Sequence, residues 1–322
     1  MTVLLAGCGD LGTEAGLRFA AAGHRVVGWR RSPEKLPAEI EGAVADLSSG
    51  ELPPIPADTS AVVVAIAADS PTEAAYRAAY VDGLSNVIDA VLASDGGIGR
   101  VLFVSSTAVY GDAGGGWIDE GTTPDPGGFS GRVIREAEEL LFDRLQGTGI
   151  TPVCLRLGGI YGPGRTRLID QVRGGTAVLP AEPRFTNRIH RDDAAAAIVR
   201  LCTMEAVPAP VYLGVDNDPA ELGEVLSFLA AELGLPRPPS SGGNAATGES
   251  ERSRGGGGEP ARAGGEPARA GGERARGGGE PARGGNKRCS NALLRGTGFE
   301  FQYPSFREGY RDILAGVGVR HP

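Results

Sequence analysis

TVLLAGCGDLGTEAGLRFAAAGHRVVGWRRS, residues 2–32, reads as strand, glycine turn, helix and second strand in unbroken succession. Thr2 to Ala6 are short, apolar and partly β-branched, as suits a strand buried on both faces. Gly7-Cys8-Gly9-Asp10-Leu11-Gly12 follows without a gap, in the order of a G-x-G-x-x-G turn. Gly7 would permit the tight turn, Gly9 would let the backbone approach a pyrophosphate, and Gly12 would let the next helix pack closely on the strand. The spacing predicts that helix from about Asp10 to Ala22, with its N-terminal amides offered to an anion. Gly23 closes it, and Arg25 to Trp29 supply the second strand. These parts in this order predict a dinucleotide site.

An NAD ribose is gripped by an acid about twenty positions beyond such glycines, but Arg30 and Arg31 stand there. Two guanidinium groups at the end of the second strand would pair with a 2′-phosphate, which favours NADP while leaving NAD open. The plainer alternative is a solvated strand end. A third strand near Ala43 to Ala45 leads to Asp46 and Leu47, and a fourth from Ala61 to Ile66 leads to Ala67 and Ala68. Ligands of open α/β sheets gather at the carboxyl ends of strands, so these four join Gly7, Gly9, Asp10, Leu11, Gly12, Arg30 and Arg31 as expected cofactor contacts.

Strand-like and helix-like segments continue to alternate. Tyr76, Tyr80, Leu84, Val87, Ile88 and Val91 have helical spacing within Pro71 to Ala93; Arg100 to Ser105 is a fifth strand, Arg132 to Leu145 a helix, and Thr151 to Leu157 a sixth strand. The pattern predicts an α/β fold: a doubly wound Rossmann-type parallel sheet with a small C-terminal substrate-binding subdomain. Residues 1–180 form the expected NAD(P)-binding domain, and 181–235 with 286–322 the substrate side. Between them, 236–285 is dominated by Gly, Glu, Pro, Ala, Ser and Arg with near-repeats such as GGEPARA, and this composition predicts a disordered insertion. Its Arg-Gly-Gly pieces raise a tether or RNA contact, but interleaved glutamates and missing aromatics favour a plain flexible loop. Beyond it, Asn286 to Arg295 reads as helix, Phe299-Glu300-Phe301 as extended, and Tyr303 to Leu314 as a terminal helix.

A net charge of -8 disfavours a nucleic-acid-binding surface, and no long uncharged apolar run suggests a membrane span. The apolar start lacks a basic n-region and runs into the glycine turn, so it reads as a core strand and not as a signal peptide. Cys8, Cys154, Cys202 and Cys289 show no metal spacing and fit free thiols in a cytoplasmic protein. His24, His190 and His321 lie too far apart for a local zinc motif. The expected partner is a small-molecule substrate, and the sequence leaves a homodimer open.

Three blocks carry more information than the glycines. Val101-Leu102-Phe103-Val104-Ser105-Ser106-Thr107-Ala108-Val109-Tyr110-Gly111, then Arg156-Leu157-Gly158-Gly159-Ile160-Tyr161-Gly162-Pro163-Gly164-Arg165, then Ile189-His190-Arg191-Asp192-Asp193, in this order, resemble the extended branch of the short-chain dehydrogenase/reductase superfamily, the NAD(P)-dependent epimerase/dehydratase family. The resemblance covers nearly the whole chain apart from 236–285. It implies that Ser106 hydrogen-bonds the reacting oxygen, a role its hydroxyl can perform; a simple strand-end cap is the alternative. The family's proton donor is a Tyr four residues before a Lys that holds the nicotinamide ribose. Aligned on Glu138, those positions hold Ser130 and Ile134, and no other Tyr-x-x-x-Lys exists in the chain. Tyr110, Tyr161 and His190 are the remaining candidates for acid or base, each with a packing or helix-capping alternative. Arg165 would clamp a substrate anion. With a G-x-G-x-x-G where the extended family has G-x-x-G-x-x-G, the chain resembles an atypical member. Two functions stay open: an oxidoreductase or epimerase acting on a small polar, nucleotide- or sugar-bearing substrate, or an NADP(H)-binding sensor that has lost acid/base chemistry.

Overall fold

The computed structural model describes residues 1–241 and 285–322. Along the chain, β1 (Thr2–Ala6), α1 (Asp10–Ala21), β2 (Arg25–Arg30), β3 (Glu41–Val44) and β4 (Thr59–Val64) come first. There follow α2 (Glu73–Tyr76), α3 (Gly83–Leu92), β5 (Arg100–Ser106), β6 (Trp117–Ile118), α4 (Phe129–Leu145), β7 (Thr151–Leu157), β8 (Gly159–Tyr161) and α5 (Arg167–Arg173). Then come β9 (Phe185–Thr186), β10 (Arg188–His190), α6 (Arg191–Thr203), β11 (Val211–Gly214), β12 (Ala220–Glu221) and α7 (Leu222–Glu232). Beyond residue 284 lie β13 (Arg288–Cys289), α8 (Ala292–Gly296) and α9 (Phe306–Leu314).

Seven parallel strands form the sheet, in the order β11-β7-β5-β4-β1-β2-β3. The chain winds outward from β1 to β3, then returns to its other side at β4. Ala6 pairs with Val64 there, so the crevice where strand order reverses opens above Gly7 and Ala65. Both faces of β1 are covered, which explains its unbroken apolar run. One face packs Val3, Leu5, Val63 and Leu155 under α1 and α6 through Ala15, Phe19, Ala194 and Ile198. The other packs Leu4, Val62, Phe103 and Cys154 under α3 and α4 through Leu84, Ile88, Ile134 and Leu141. A smaller core joins α5, α7 and α9 through Ile169, Val172, Leu226, Leu229, Phe306 and Tyr310. Residues 191–214 supply α6 and the edge strand β11 to the sheet layer.

The structure departs from the sequence reading in places with local causes. The helix expected over 71–93 divides into α2, a π-helical stretch from Arg77 to Asp82, and α3. Asn286 to Arg295 is not one helix: the Arg288 amide donates to the Gly116 carbonyl (2.8 Å) and the Ser290 amide to that of Ile118 (2.9 Å), so β6 captures the backbone as a parallel strand. The terminal helix starts only at Phe306, where Ser305 and Glu308 form a capping box just after Pro304. The insertion also starts later than its composition suggests. Pro239 and Ser241 bond the backbone of Leu179 at 2.8 and 3.0 Å, so 236–241 pack against the chain. The expectation of disorder for 242–284 lies outside the described residues.

Candidate functional site

The glycine turn is built by three different constraints. Gly7 adopts φ +86, and a Cβ there would lie 2.6 Å from the Ala65 carbonyl oxygen. Its amide and that of Cys8 donate to the Trp29 carbonyl at 3.1 and 3.0 Å, tying the turn to β2. At Gly12 a Cβ would press on the Gly7 carbonyl at 3.1 Å. At Gly9 a Cβ would meet nothing within 4 Å. Gly9 is the N-cap of α1 and supplies no capping side chain. The first-turn amides of Asp10, Leu11 and Gly12 therefore form an open, partly positive end suited to a pyrophosphate. Leu11 and Cys8 are buried beneath them, and burial pushes the Cys8 thiol up to about 11, which leaves it protonated and unreactive.

Asp10 puts a carboxylate at this turn, and two arginines pair with it. Arg165 Nε donates to it at 3.0 Å, Arg191 Nη1 at 3.1 Å, and the His321 amide at 3.1 Å. Burial opposes its ionisation, but the His321 bond and the two guanidinium groups hold its pKa below the usual value. Arg165, expected to clamp a substrate anion, is thus bound to Asp10; it also lines a pocket of about 610 Å³ with Thr166, Arg167, Gln171 and Thr176. At the end of β2, Arg30 donates to the Pro322 carbonyl (2.9 Å), while Arg31 makes a bidentate pair with Asp69 (2.8 and 2.8 Å). Asp46 is exposed and accepts from the Ser48 amide and hydroxyl, and the carbonyl of half-buried Leu47 accepts from Asn86. Ala67 is exposed and Ala68 half-buried, just past β4 on the rim of the crevice.

Ser106 ends β5, half-buried, and its Oγ accepts the Ala108 amide at 3.1 Å. That bond uses a lone pair, so the hydroxyl proton is not consumed by it. Ser105 turns to the opposite face and donates to Glu138 Oε1 at 2.6 Å. Arg156 grips the same carboxylate through Nε (2.7 Å) and Nη2 (2.6 Å) and donates through Nη1 to the Tyr110 hydroxyl (2.5 Å). Tyr110 in turn donates to the Asp119 carbonyl at 3.1 Å.

The three acid/base candidates are engaged as follows. The Tyr110 hydroxyl is buried, bonded on both sides, and raised in pKa by burial. Tyr161 donates to the Ser305 carbonyl (3.3 Å), stacks on Tyr310, and is pushed far up by burial. His190 caps α6 by accepting the Asp192 amide at 3.3 Å, packs on Tyr303, and is driven down to about 4 by burial against the pull of Asp192. All three are struts or caps. Ser130 is half-buried, and Ile134 is 4% exposed within the core.

Sequence reasoning missed several buried ionic groups. Glu138 entered only as an alignment anchor and Arg156 only as the head of a motif. Lys287 was assigned no role, yet its ammonium is buried and donates to the carbonyls of Tyr110 (3.1 Å) and Gly111 (3.3 Å). Arg188 Nη1 and Asp216 Oδ2 are buried without a hydrogen-bond partner among the described residues. Burial raises the Asp216 pKa to about 8, against the opposing charge of Arg188. An acid raised in the folded state keeps its proton where the unfolded chain has lost it, so the stability contributed by Asp216 is fullest below about pH 4 and falls as pH rises toward 8. This group alone should contribute a slope of about 1.4 kcal/mol per pH unit in that window. Urea unfolding of Asp216→Asn across pH 4–8 should be measurably flatter than wild type; parallel curves would refute the assignment.

The sequence model of a known family, described as the NAD dependent epimerase/dehydratase family, matches residues 3–212. The chain belongs to that family. Protein YeeZ of Escherichia coli K12 is 31% identical over 208 residues, 62% of this chain and 72% of YeeZ. A structure from Methylobacillus flagellatus named for the NAD-dependent epimerase/dehydratases is 34% identical, covers 98% of each chain and superposes with a TM-score of 0.69. MoeE5, solved with UDP-glucose and NAD, shares the fold at 21% identity with a TM-score of 0.71 over 98% of each chain. Among the described residues of this epimerase/dehydratase chain, no helix is long and apolar enough to cross a membrane.

Proposed function

We propose that this epimerase/dehydratase chain binds NAD(P) across the crevice between β1 and β4 and presents a small polar substrate to Ser106. The observation that carries the reading is the division of labour among Gly7, Gly9 and Gly12, which leaves an uncapped helix end with empty space in front of Gly9. The bound cofactor would supply or accept a hydride. The chain's own part is to hold the pyrophosphate on the amides of Asp10 to Gly12, to place the adenosine near Arg30, Arg31, Asp46 and Leu47, and to offer the Ser106 hydroxyl to the substrate oxygen. Ala67 and Ala68 would wall the crevice. The Arg165 pocket, lined by hydroxyl, amide and guanidinium groups, suits a polar, sugar-like substrate.

NADP is the favoured form. The Arg31–Asp69 pair does not stand in its way: both side chains are more than 60% exposed, and an exposed pair is worth roughly 0.2–1 kcal/mol. A 2′-phosphate can displace the carboxylate from that fork. The second reading, a cofactor-binding sensor without turnover, is supported by the engagement of Tyr110, Tyr161 and His190 elsewhere and by Ile134 at the lysine position. Calorimetric titration with NADPH and NAD, on wild type and on Arg30→Ala/Arg31→Ala, tests the common core of both. Wild type should prefer NADPH, and the double variant should lose about 10-fold or more for NADPH alone. No binding of either form by wild type would refute the proposal. Turnover on a sugar-nucleotide panel that is abolished by Ser106→Ala would favour the enzyme, and its absence the sensor.

A further inference from the structure

Past α9, Gly316 (φ +76) and Gly318 (φ +87) turn the chain back across the molecule. Residues 318–322 then touch the cofactor end of the fold at every position. Gly318 packs on Pro163, and the Val319 carbonyl accepts from Arg191 Nη1 at 2.8 Å. Arg320 donates to the Gly164 carbonyl at 3.2 Å, and its stem fills the space over the Gly164 Cα. The His321 amide donates to Asp10 Oδ1 (3.1 Å), its Nε2 meets Glu14 Oε2 (2.9 Å), and the Pro322 carbonyl accepts from Arg30 (2.9 Å). The segment thus runs from the Gly162–Arg165 turn, past the first residue of α1, to the end of β2. A dinucleotide on this fold spans the last two of those landmarks, with pyrophosphate at α1 and the adenosine ribose at β2.

We propose that residues 317–322 are a reversible strap that competes with the adenosine half of the dinucleotide for Arg30 and the Asp10 end of the glycine turn. This rests on the reading that the turn binds NAD(P). The manner of attachment fits a displaceable segment. The strap is held by polar contacts, while Val317 and Val319 are 50% and 71% exposed, so little apolar surface resists its opening. Arg30 meets the strap through a single bond to the Pro322 oxygen, whereas a 2′-phosphate would offer several acceptor oxygens and a larger charge to the same guanidinium. Competition lowers apparent affinity by the fraction of molecules with the strap open. It therefore sets a threshold cofactor concentration, and NADPH, which gains most from Arg30, should clear it more readily than NAD.

The test is paired. NADPH and NAD are titrated into the full chain and into a chain lacking residues 317–322; removal should tighten NADPH binding by about 5-fold or more and raise the on-rate. Hydrogen exchange of residues 316–322 is measured in the full chain with and without saturating NADPH, and the His321 amide should exchange faster when the cofactor is bound. This second measurement does not depend on the shortened chain folding. Equal affinities, or slower exchange on binding, would overturn the competition while leaving the cofactor reading intact. Failure of both chains to bind either dinucleotide would overturn the reading beneath it.

Discussion

Glu138→Gln should lower the unfolding free energy by about 3–5 kcal/mol, the cost of leaving a buried guanidinium without its counter-charge. Glu138 and Arg156 have side chains 0% and 3% exposed and meet through two bonds of 2.7 and 2.6 Å. Ser105, Tyr110 and Arg135, which donates to Glu138 at 3.3 Å, join the cluster, so the carboxylate ties the end of β5 and the loop after it to α4. The loss would appear as a lower urea midpoint at unchanged m-value. Replacing both partners, Glu138→Leu with Arg156→Met, should be milder than the single change, because no charge is then stranded. Its residual cost is the Ser105 hydroxyl left without its acceptor and the lost Arg156 bond to Tyr110, whose hydroxyl keeps the Asp119 carbonyl. A single substitution costing under about 1 kcal/mol would show that water reaches the pair.

Gly9→Asp should have the opposite signature: a fold as stable as wild type or more so, with cofactor binding reduced by about 100-fold or more, some 2.7 kcal/mol. The position has φ -87 and ψ -159, which any residue adopts, and an added Cβ meets nothing within 4 Å. Aspartate is also among the best N-cap residues, worth a few tenths of a kcal/mol over glycine to a helix that now has no capping side chain. The same carboxylate would occupy the amides offered to the pyrophosphate and repel it. Gly7→Ala is the contrasting control, since its φ of +86 and the Ala65 carbonyl make any side chain there a folding defect. Unimpaired NADPH affinity in Gly9→Asp would remove the glycine turn from the site.

Much of the scaffold was legible because buried parallel strands write themselves as apolar runs, and a turn such as Gly7 to Gly12 imposes its residues locally. β1, α1, β2, β5 and β7 are of this kind. The site was less legible because its decisive contacts are long-range and polar. Nothing near Asp10 in sequence announces Arg165 and Arg191, and nothing near Arg30 announces Pro322. Tyr110 and His190 have the chemistry of catalysts on paper, and only burial and partners show that one braces Arg156 while the other caps α6. The capture of Arg288 and Cys289 by β6 was equally hidden, since two-residue strands carry no periodicity to read.

The route of the chain between its layers bears on how the molecule can move. It leaves the sheet after β7 for α5, returns for α6 and β11, leaves again for α7, comes back with α8, and crosses once more to α9. No single cut would release either layer intact. Any rocking of the small core about the sheet must strain several covalent crossings among the described residues at once, so the two layers are expected to shift by concerted sliding and not by the swing of a one-strand hinge.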